Sequence, residues 1–132
     1  MSELPTVAKS PRPAGVMRYR PLGRTGLDVS VVEFGASPLG DVFGVTDAAE
    51  GQRAVHMAVE AGINYFDVSP FYGRTLAEAR LGDALRGRRD RVVLSTKCGR
   101  YEVDRFDYSA QGVIGSVEQC MAAGAIHKGQ FP

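Results

Sequence analysis

The chain has 132 residues, 44% of them hydrophobic and 23% charged, and a formal net charge of +1. This composition is that of an ordinary globular domain, and it argues against disorder, a nucleic-acid surface or a surface for acidic membranes. No apolar run approaches the ~20 residues that a membrane-spanning helix needs. Cys98 and Cys120 are too few for a disulfide framework, so we expect free thiols in a reducing compartment and predict a cytoplasmic protein.

The N-terminal third begins with a proline-containing stretch and then shows strand patterns. Residues 1–16 carry three prolines and no apolar core of a secretory signal, which predicts a disordered leader. Residues 17–22 and 27–30 then predict two strands joined by a turn that contains two glycines. Residues 31–36 predict a buried strand that ends in small residues, where a ligand or another backbone can approach closely.

Three helices and two further strands follow in alternation. Asp47 with Glu50, and Thr75 with Glu78, have the spacing of helix caps in their capping-box form, and a third helix is predicted over residues 109–119. Gly62 is placed to end the first helix. The apolar runs at 63–68 and 92–97 predict buried strands.

Strands that alternate with helices predict right-handed βαβ units around a parallel sheet. No G-x-G-x-x-G motif follows the first of these strands, which disfavours the dinucleotide-binding fold that carries this fingerprint. An α/β barrel is therefore the better prediction, and in such barrels the chemistry lies at the carboxyl ends of the strands.

Two of the predicted strands end in a charged residue. Asp67 ends the strand at 63–68, Lys97 ends the strand at 92–97, and Tyr72 lies in the loop after Asp67. On adjacent parallel strands the three side chains would meet at one rim of the sheet. An ammonium group near a phenol favours the phenolate, and a carboxylate holds the ammonium in place, so the trio suits proton exchange with a carbonyl oxygen during hydride transfer. A plain buried ion pair with Tyr72 packed beside it is the alternative.

Residues 17–119 resemble the aldo-keto reductase family, in particular its L-galactose dehydrogenase and aldose dehydrogenase branch. The matching motifs are RPLGRTGL at 20–27, FGASPLG at 34–40, GINYFD at 62–67, YG at 72–73, LGDAL at 81–85, STKCGRY at 95–101 and FDYSA at 106–110. The resemblance implies an α/β fold, the N-terminal part of a (β/α)8 TIM barrel whose floor is closed by a β-hairpin. It also implies NADP or NAD as cofactor and a sugar or aldehyde as substrate.

The resemblance assigns roles to individual residues. Tyr72 matches the family's proton donor or acceptor, and Lys97 and Asp67 match the residues that tune it. Gly35, Ala36 and Ser37, together with Asp67, match positions near the nicotinamide. No metal site is implied. Oligomeric state is not indicated by any of these features.

The family pattern ends after Gln119, so we divide the chain into a leader (1–16), a partial barrel (17–119) and a divergent tail (120–132). A complete barrel takes about 250 residues, and about three βα units are present before the apparent truncation. The family's catalytic histidine follows a fourth strand that is not found; His127 is a poor substitute and His56 is predicted to be a helix residue. We therefore expect the chain alone to be inactive, with protein–protein binding by a short isoform as the alternative function.

Overall fold

The structure is a computed structural model that describes residues 17–123. The strands are β1 (Tyr19–Pro21), β2 (Asp28–Ser30), β3 (Phe34–Gly35), β4 (Tyr65–Asp67) and β5 (Val93–Ser95), and the helices are α1 (Ala48–Glu60), α2 (Leu76–Ala84) and α3 (Ala110–Ala122). The predicted order of elements is confirmed. The strands are shorter than predicted because the pairing stops where their ends enter loops.

A parallel three-stranded sheet is the centre of the fold, and its strand order is β3-β4-β5. Gly35 pairs with Asp67, and Asp67 pairs with Ser95, so the carboxyl ends of the three strands lie at the same rim. β1 and β2 form a separate antiparallel hairpin. The parallel sheet and the hairpin predicted from the sequence are therefore both present.

The hairpin is attached to the segment between α1 and β4. The Tyr19 hydroxyl donates to the Gly62 carbonyl at 2.7 Å. The Asn64 side chain accepts from the Ser30 amide at 2.7 Å and donates to the Asp28 carbonyl at 2.9 Å. These long-range bonds satisfy polar groups at the end of the sheet opposite the carboxyl ends of the parallel strands.

The buried strand predicted over residues 31–36 is wrong in its first half. Val31 and Val32 are 42% and 51% exposed, and the strand comprises Phe34 and Gly35 alone. The Ser30 hydroxyl donates to the Val32 carbonyl at 2.6 Å, which turns the chain before the sheet begins. Among the apolar side chains of residues 31–36, Ala36 is buried while Val31 and Val32 are exposed.

The ends of α1 follow the prediction. The Asp47 carboxylate accepts from the Glu50 amide at 2.8 Å and so caps the helix. Gly62 has φ of +89° directly after the helix, where glycine carries no steric penalty. On the inner face, Val55 and Val59 are buried.

The start of α2 differs from the prediction. Thr75 precedes the helix with φ of +74°, and its side chain makes no capping hydrogen bond. Glu78 is buried and bonds to Thr96 near β5, so it does not serve as an exposed capping residue. The capping box predicted at this helix is therefore wrong.

The third helix begins as predicted and extends further. The Ser109 hydroxyl accepts from the Gly112 amide at 3.1 Å and caps the helix. The helix continues to Ala122, three residues past Gln119, and Cys120 within it is fully buried. The domain division at residues 119 and 120 stays a prediction.

The core lies between the parallel sheet and the first two helices. Phe66 of β4 is fully buried and stacks on Phe34, with ring centroids 5.1 Å apart. The remaining buried apolar side chains come from the loops and helices around the sheet: Ala36, Leu39, Val55, Ala58, Val59, Val68, Ala77, Leu81, Ala84, Leu85 and Val92. Among residues 17–123, no helix is both long and apolar enough to cross a membrane.

Candidate active site

Asp67, which ends β4, and Lys97, which follows β5 by two residues, are in contact. Lys97 Nζ lies 2.6 Å from Asp67 Oδ1 and also donates to the Val68 carbonyl at 3.2 Å. The pair is partly exposed, with 27% of the Asp67 side chain and 48% of the Lys97 side chain accessible. The ion pair therefore faces the rim of the sheet, where it can meet a ligand.

Ser95 is a polar partner of the site that the sequence analysis missed. Its hydroxyl donates to Asp67 Oδ2, the carboxylate oxygen that Lys97 does not contact. The two residues are register partners on β4 and β5. Each oxygen of Asp67 thus has its own donor, which fixes the orientation of the carboxylate. The sequence alone does not indicate this partner, because the register of the two strands decides which residue lies opposite Asp67.

Tyr72 lies beside this ion pair on the loop between β4 and α2. Lys97 Nζ is 5.5 Å from the centroid of the Tyr72 ring. The backbone of Tyr72 is held by its amide, which donates to Ser69 at 3.0 Å, and by its carbonyl, which accepts from Ala77 at 3.2 Å. The predicted meeting of Asp67, Tyr72 and Lys97 is present in the structure, while their catalytic roles stay a prediction.

The loop that carries Tyr72 packs directly against the turn after β3. A Cβ atom added to Gly40 would lie 2.5 Å from the Tyr72 carbonyl oxygen and 2.9 Å from the Gly73 amide nitrogen. The two backbones therefore approach as closely as only glycine allows.

Arg80 of α2 fastens that same turn. Its guanidinium donates to the Leu39 carbonyl at 2.9 Å and to the Asp41 carboxylate at 2.8 Å. The Thr46 amide also donates to Asp41, and this bond together with the Arg80 contacts lowers the pKa of Asp41. The turn is thus bonded on both sides of Gly40.

Of the four residues predicted to lie near a nicotinamide, the three at the end of β3 and after it differ in exposure. Gly35 is exposed, and a Cβ atom built on it meets nothing within 4 Å, so there is open space above the end of β3. Ser37 is half-buried. Ala36 is fully buried in the core, and its amide donates to the Asp67 carbonyl at 2.8 Å. Direct contact with a ligand is therefore open to Gly35 and Ser37, while Ala36 holds the segment against β4.

A second loop lies over the rim after β5. The Arg100 guanidinium stacks 4.1 Å from the centroid of Phe71 and 5.5 Å from that of Phe106. An open cavity of about 410 Å³ lies between the two rim loops and is lined by Phe71, Gly73, Arg74, Tyr101, Glu102, Val103, Asp104 and Arg105. The cavity adjoins the loop of Tyr72 and offers both charged and apolar side chains.

A buried polar cluster lies behind the site. Glu78 accepts from the Thr96 hydroxyl at 2.8 Å, and the Cys120 thiol is its neighbour. Burial raises the pKa of Glu78, and the Thr96 and Cys120 side chains partly offset this rise. Burial and the neighbouring Glu78 raise the pKa of Cys120 to about 12. The sequence contained a signal for this cluster, because Glu78 precedes Leu81 by three positions and Leu85 by seven and so shares their apolar face.

The histidines take no part in the described site. The ring of His56 contacts the Ala84 carbonyl at 2.9 Å, which joins α1 to α2 as expected of a helix residue. His127 lies outside the described residues. Within residues 17–123 no three His, Cys, Asp or Glu side chains are grouped to hold a metal ion.

The arrangement combines a phenol, an ammonium group and a carboxylate at an exposed rim. The ammonium can stabilise a phenolate, and the carboxylate keeps the ammonium near the ring. A plain structural ion pair would need neither the open space at Gly35 nor the adjoining cavity. The geometry therefore favours proton exchange with a ligand bound at the rim.

Comparison with known proteins agrees with this geometry. Residues 31–122 match the sequence profile of the Aldo/keto reductase family. The chain is 47% identical over 108 residues to the L-galactose dehydrogenase of Arabidopsis thaliana, and the match covers 80% of this chain and 34% of that protein. It is 40% identical over 76 residues to the D-threo-aldose 1-dehydrogenase of a Pseudomonas species, with 57% and 23% covered.

Solved structures give the same result. The fold matches an aldo-keto reductase from Bacillus halodurans in its holo form with a TM-score of 0.72 and 30% identity, over 83% of this chain and 37% of that one. The chain thus spans about a third of the length of the L-galactose dehydrogenase and of this structure.

Proposed function

The chain belongs to the aldo/keto reductase family, and from this premise we propose that it carries the proton-transfer side of a hydride-transfer site. The reaction is the interconversion of a carbonyl and an alcohol on a sugar or small aldehyde. One observation carries the proposal: the Lys97–Asp67 ion pair lies at the open rim with its ammonium 5.5 Å from the Tyr72 ring.

Each member of the trio has a distinct role. The Tyr72 hydroxyl gives a proton to the carbonyl oxygen in reduction and takes it back in oxidation. The Lys97 ammonium stabilises the phenolate that is left, and Asp67 keeps the ammonium beside the ring. Ser95 occupies the second oxygen of Asp67 and prevents that carboxylate from rotating away.

NADP or NAD is the cofactor that the family implies, and the described residues fit it. The open space above the exposed Gly35, together with Ser37 and Asp67 at the same rim, would accept the nicotinamide, and the buried Ala36 holds this edge in place. A nicotinamide cofactor, when bound, supplies or accepts the hydride.

The relatives and the rim both support a sugar as the proposed substrate class. Two of the relatives are an L-galactose dehydrogenase and a D-threo-aldose 1-dehydrogenase. The rim cavity of this chain is lined by Arg74, Glu102, Asp104 and Arg105, whose charged groups can bind hydroxyl groups. A polyhydroxylated substrate such as an aldose suits this lining better than a purely apolar aldehyde.

The test is a graft of residues 17–119 into the L-galactose dehydrogenase in place of the matching segment. The graft is assayed with L-galactose by the absorbance of reduced nicotinamide at 340 nm. We expect turnover, and Tyr72→Phe should lower kcat by about 10²–10⁴-fold, the range of general acid–base catalysis. Lys97→Met and Asp67→Asn should act in the same direction.

Matched controls exclude general damage. Tyr108→Phe changes an exposed tyrosine, and Asp83→Asn changes an exposed aspartate that pairs with Arg86. Both should leave kcat unchanged. An active graft that tolerates Tyr72→Phe would refute the assignment. The 132-residue chain alone should give no turnover in the same assay, and measurable turnover would refute that expectation.

A further inference from the structure

Glu78 is a buried carboxyl group with no place in the proton transfer described above. It lies on α2 with 2% of its surface exposed. The Thr96 hydroxyl donates to its Oε1 at 2.8 Å, and the buried Cys120 thiol of α3 is its neighbour. A carboxyl group removed from water costs free energy that a methionine in its place would not, so stability alone does not account for it.

The hydrogen bond between Glu78 and Thr96 connects the two segments that carry the reacting groups. Thr96 precedes Lys97 in the chain. Ala77 precedes Glu78, and its amide donates to the Tyr72 carbonyl at 3.2 Å. The bond therefore joins the backbone that holds Tyr72 to the backbone that holds Lys97.

A second contact limits the freedom of the same backbone. The Ser116 hydroxyl of α3 lies 3.5 Å from the Lys97 carbonyl oxygen. The Cys120 thiol, one turn further along α3, is close enough to Glu78 for the two groups to raise and lower each other's pKa. The residues on both sides of the Thr96–Lys97 peptide are thus bonded to helices, although no strand pairing holds this peptide.

We propose that Glu78 is a positioning residue that sets the distance between the Lys97 ammonium and the Tyr72 ring through its hydrogen bond to Thr96. The inference rests on the proposed function, because this distance matters for proton transfer from Tyr72. Removing the bond lets the end of β5 move away from the loop of Tyr72.

The distance can be followed without turnover. Methylene groups above an aromatic ring have shifted NMR signals, and the chain has the lysines Lys9, Lys97 and Lys128, so selectively labelled lysine gives a simple spectrum. Lys97→Arg assigns the signals of Lys97, and Tyr72→Leu gives their position when the ring is absent. The difference in the chemical shifts of Lys97 between wild type and Tyr72→Leu serves as the reference against which the shifts of the other variants are compared.

The variants separate the hydrogen bond from charge and from folding. Glu78→Met and Thr96→Val each remove one partner of the hydrogen bond. The double variant removes both partners, so neither is left buried without its hydrogen bond, which would destabilise the fold. We expect all three to move the Lys97 signals at least about half of the way to the Tyr72→Leu position. Glu78→Gln keeps an acceptor oxygen and should stay near wild type, as should the exposed Glu118→Gln on α3.

Two results would overturn the proposal. The first is a folded double variant, judged by circular dichroism, whose Lys97 signals coincide with those of wild type. The second is a Glu78→Gln variant that moves as far as Glu78→Met. If the double variant does not fold, Thr96→Val decides by the same criterion. The NMR measurement uses no cofactor or substrate, so it tests the role of Glu78 even if the proposed enzymatic function is wrong.

Discussion

Gly40→Ala tests the close backbone contact that holds Tyr72. The added Cβ atom would lie 2.5 Å from the Tyr72 carbonyl oxygen, 2.6 Å from its carbonyl carbon and 2.9 Å from the Gly73 nitrogen. All three atoms are backbone, so no side chain can rotate away. Gly40 is not among the glycines with positive φ, and alanine therefore meets a lack of space and no dihedral strain.

The magnitude follows from the overlap. Non-bonded carbon atoms prefer separations of about 3.5–4.0 Å, so the two backbones must separate by roughly 1 Å. Overpacking of this kind costs about 1–3 kcal/mol in the free energy of unfolding. Gly115→Ala is the matched control, because its Cβ atom meets nothing within 4 Å inside α3 and alanine should stabilise that helix by about 0.5–1 kcal/mol.

Urea unfolding followed by circular dichroism measures both variants. With an m-value of about 1–3 kcal/mol/M, Gly40→Ala should lower the midpoint by roughly 1 M urea, while Gly115→Ala should raise it. In the grafted dehydrogenase, a displacement of Tyr72 of this size should also lower kcat by about 10²-fold. A Gly40→Ala midpoint at or above that of wild type would refute the contact.

Three further predictions concern the buried cluster and the helix ends. Because burial raises the pKa of Cys120 to about 12, only the exposed Cys98 should react rapidly with a thiol reagent at pH 8 in the folded chain. Both thiols should react in denaturant. Rapid reaction of two thiols in the folded chain would contradict this prediction. The pKa of Glu78 is raised above its ordinary value of 4.5, so the folded chain binds the Glu78 proton more tightly than the unfolded chain does. The contribution of Glu78 to stability therefore falls as pH rises above 4.5 through the folded pKa. Glu78→Gln should therefore gain stability relative to wild type between pH 4 and pH 8 in urea titrations, and a constant difference would show that Glu78 does not titrate in this way. Ser109→Ala should lower the free energy of unfolding by about 1 kcal/mol, because it removes the cap of α3. Thr75→Ala should lower it by less than about 0.5 kcal/mol, because Thr75 makes no capping bond. Equal losses of stability in thermal unfolding would contradict the two assignments.

The sequence was sufficient for the element order and the centre of the site. Asp67 and Lys97 are each the charged residue at the carboxyl end of an apolar run, and parallel pairing of those runs brings them to the same rim. The cap at Asp47 and the stop at Gly62 were readable because each depends on one residue and its near neighbours.

The failures share a physical cause. Thr75 and Glu78 have the spacing of a capping box, but tertiary contacts decide otherwise, since Glu78 bonds to Thr96 across the core. Val31 and Val32 look like strand residues, yet the turn at Ser30 leaves them exposed. A local sequence pattern does not indicate which apolar or polar residues will be buried by neighbouring helices and strands.

The contacts around Tyr72 were beyond the sequence for a similar reason. Nothing local to Gly40 indicates that the Tyr72 carbonyl will lie against it, or that Arg80 will reach the Leu39 carbonyl from another element. Ser95 became recognisable only once the register placed it opposite Asp67. These residues act through pairings between distant segments, which a single sequence does not reveal.

The central claim is that Tyr72 exchanges the proton of a hydride-transfer reaction. The most direct measurement uses the grafted dehydrogenase with substrate deuterated at the carbon that is oxidised, and follows deuterium into the reduced nicotinamide by mass spectrometry. The account predicts that deuterium is transferred with the residues of this chain in place, and that the rate of this transfer falls by about 10²–10⁴-fold in Tyr72→Phe but is unchanged in Tyr108→Phe. Transfer that is equal in the Tyr72→Phe graft would contradict it.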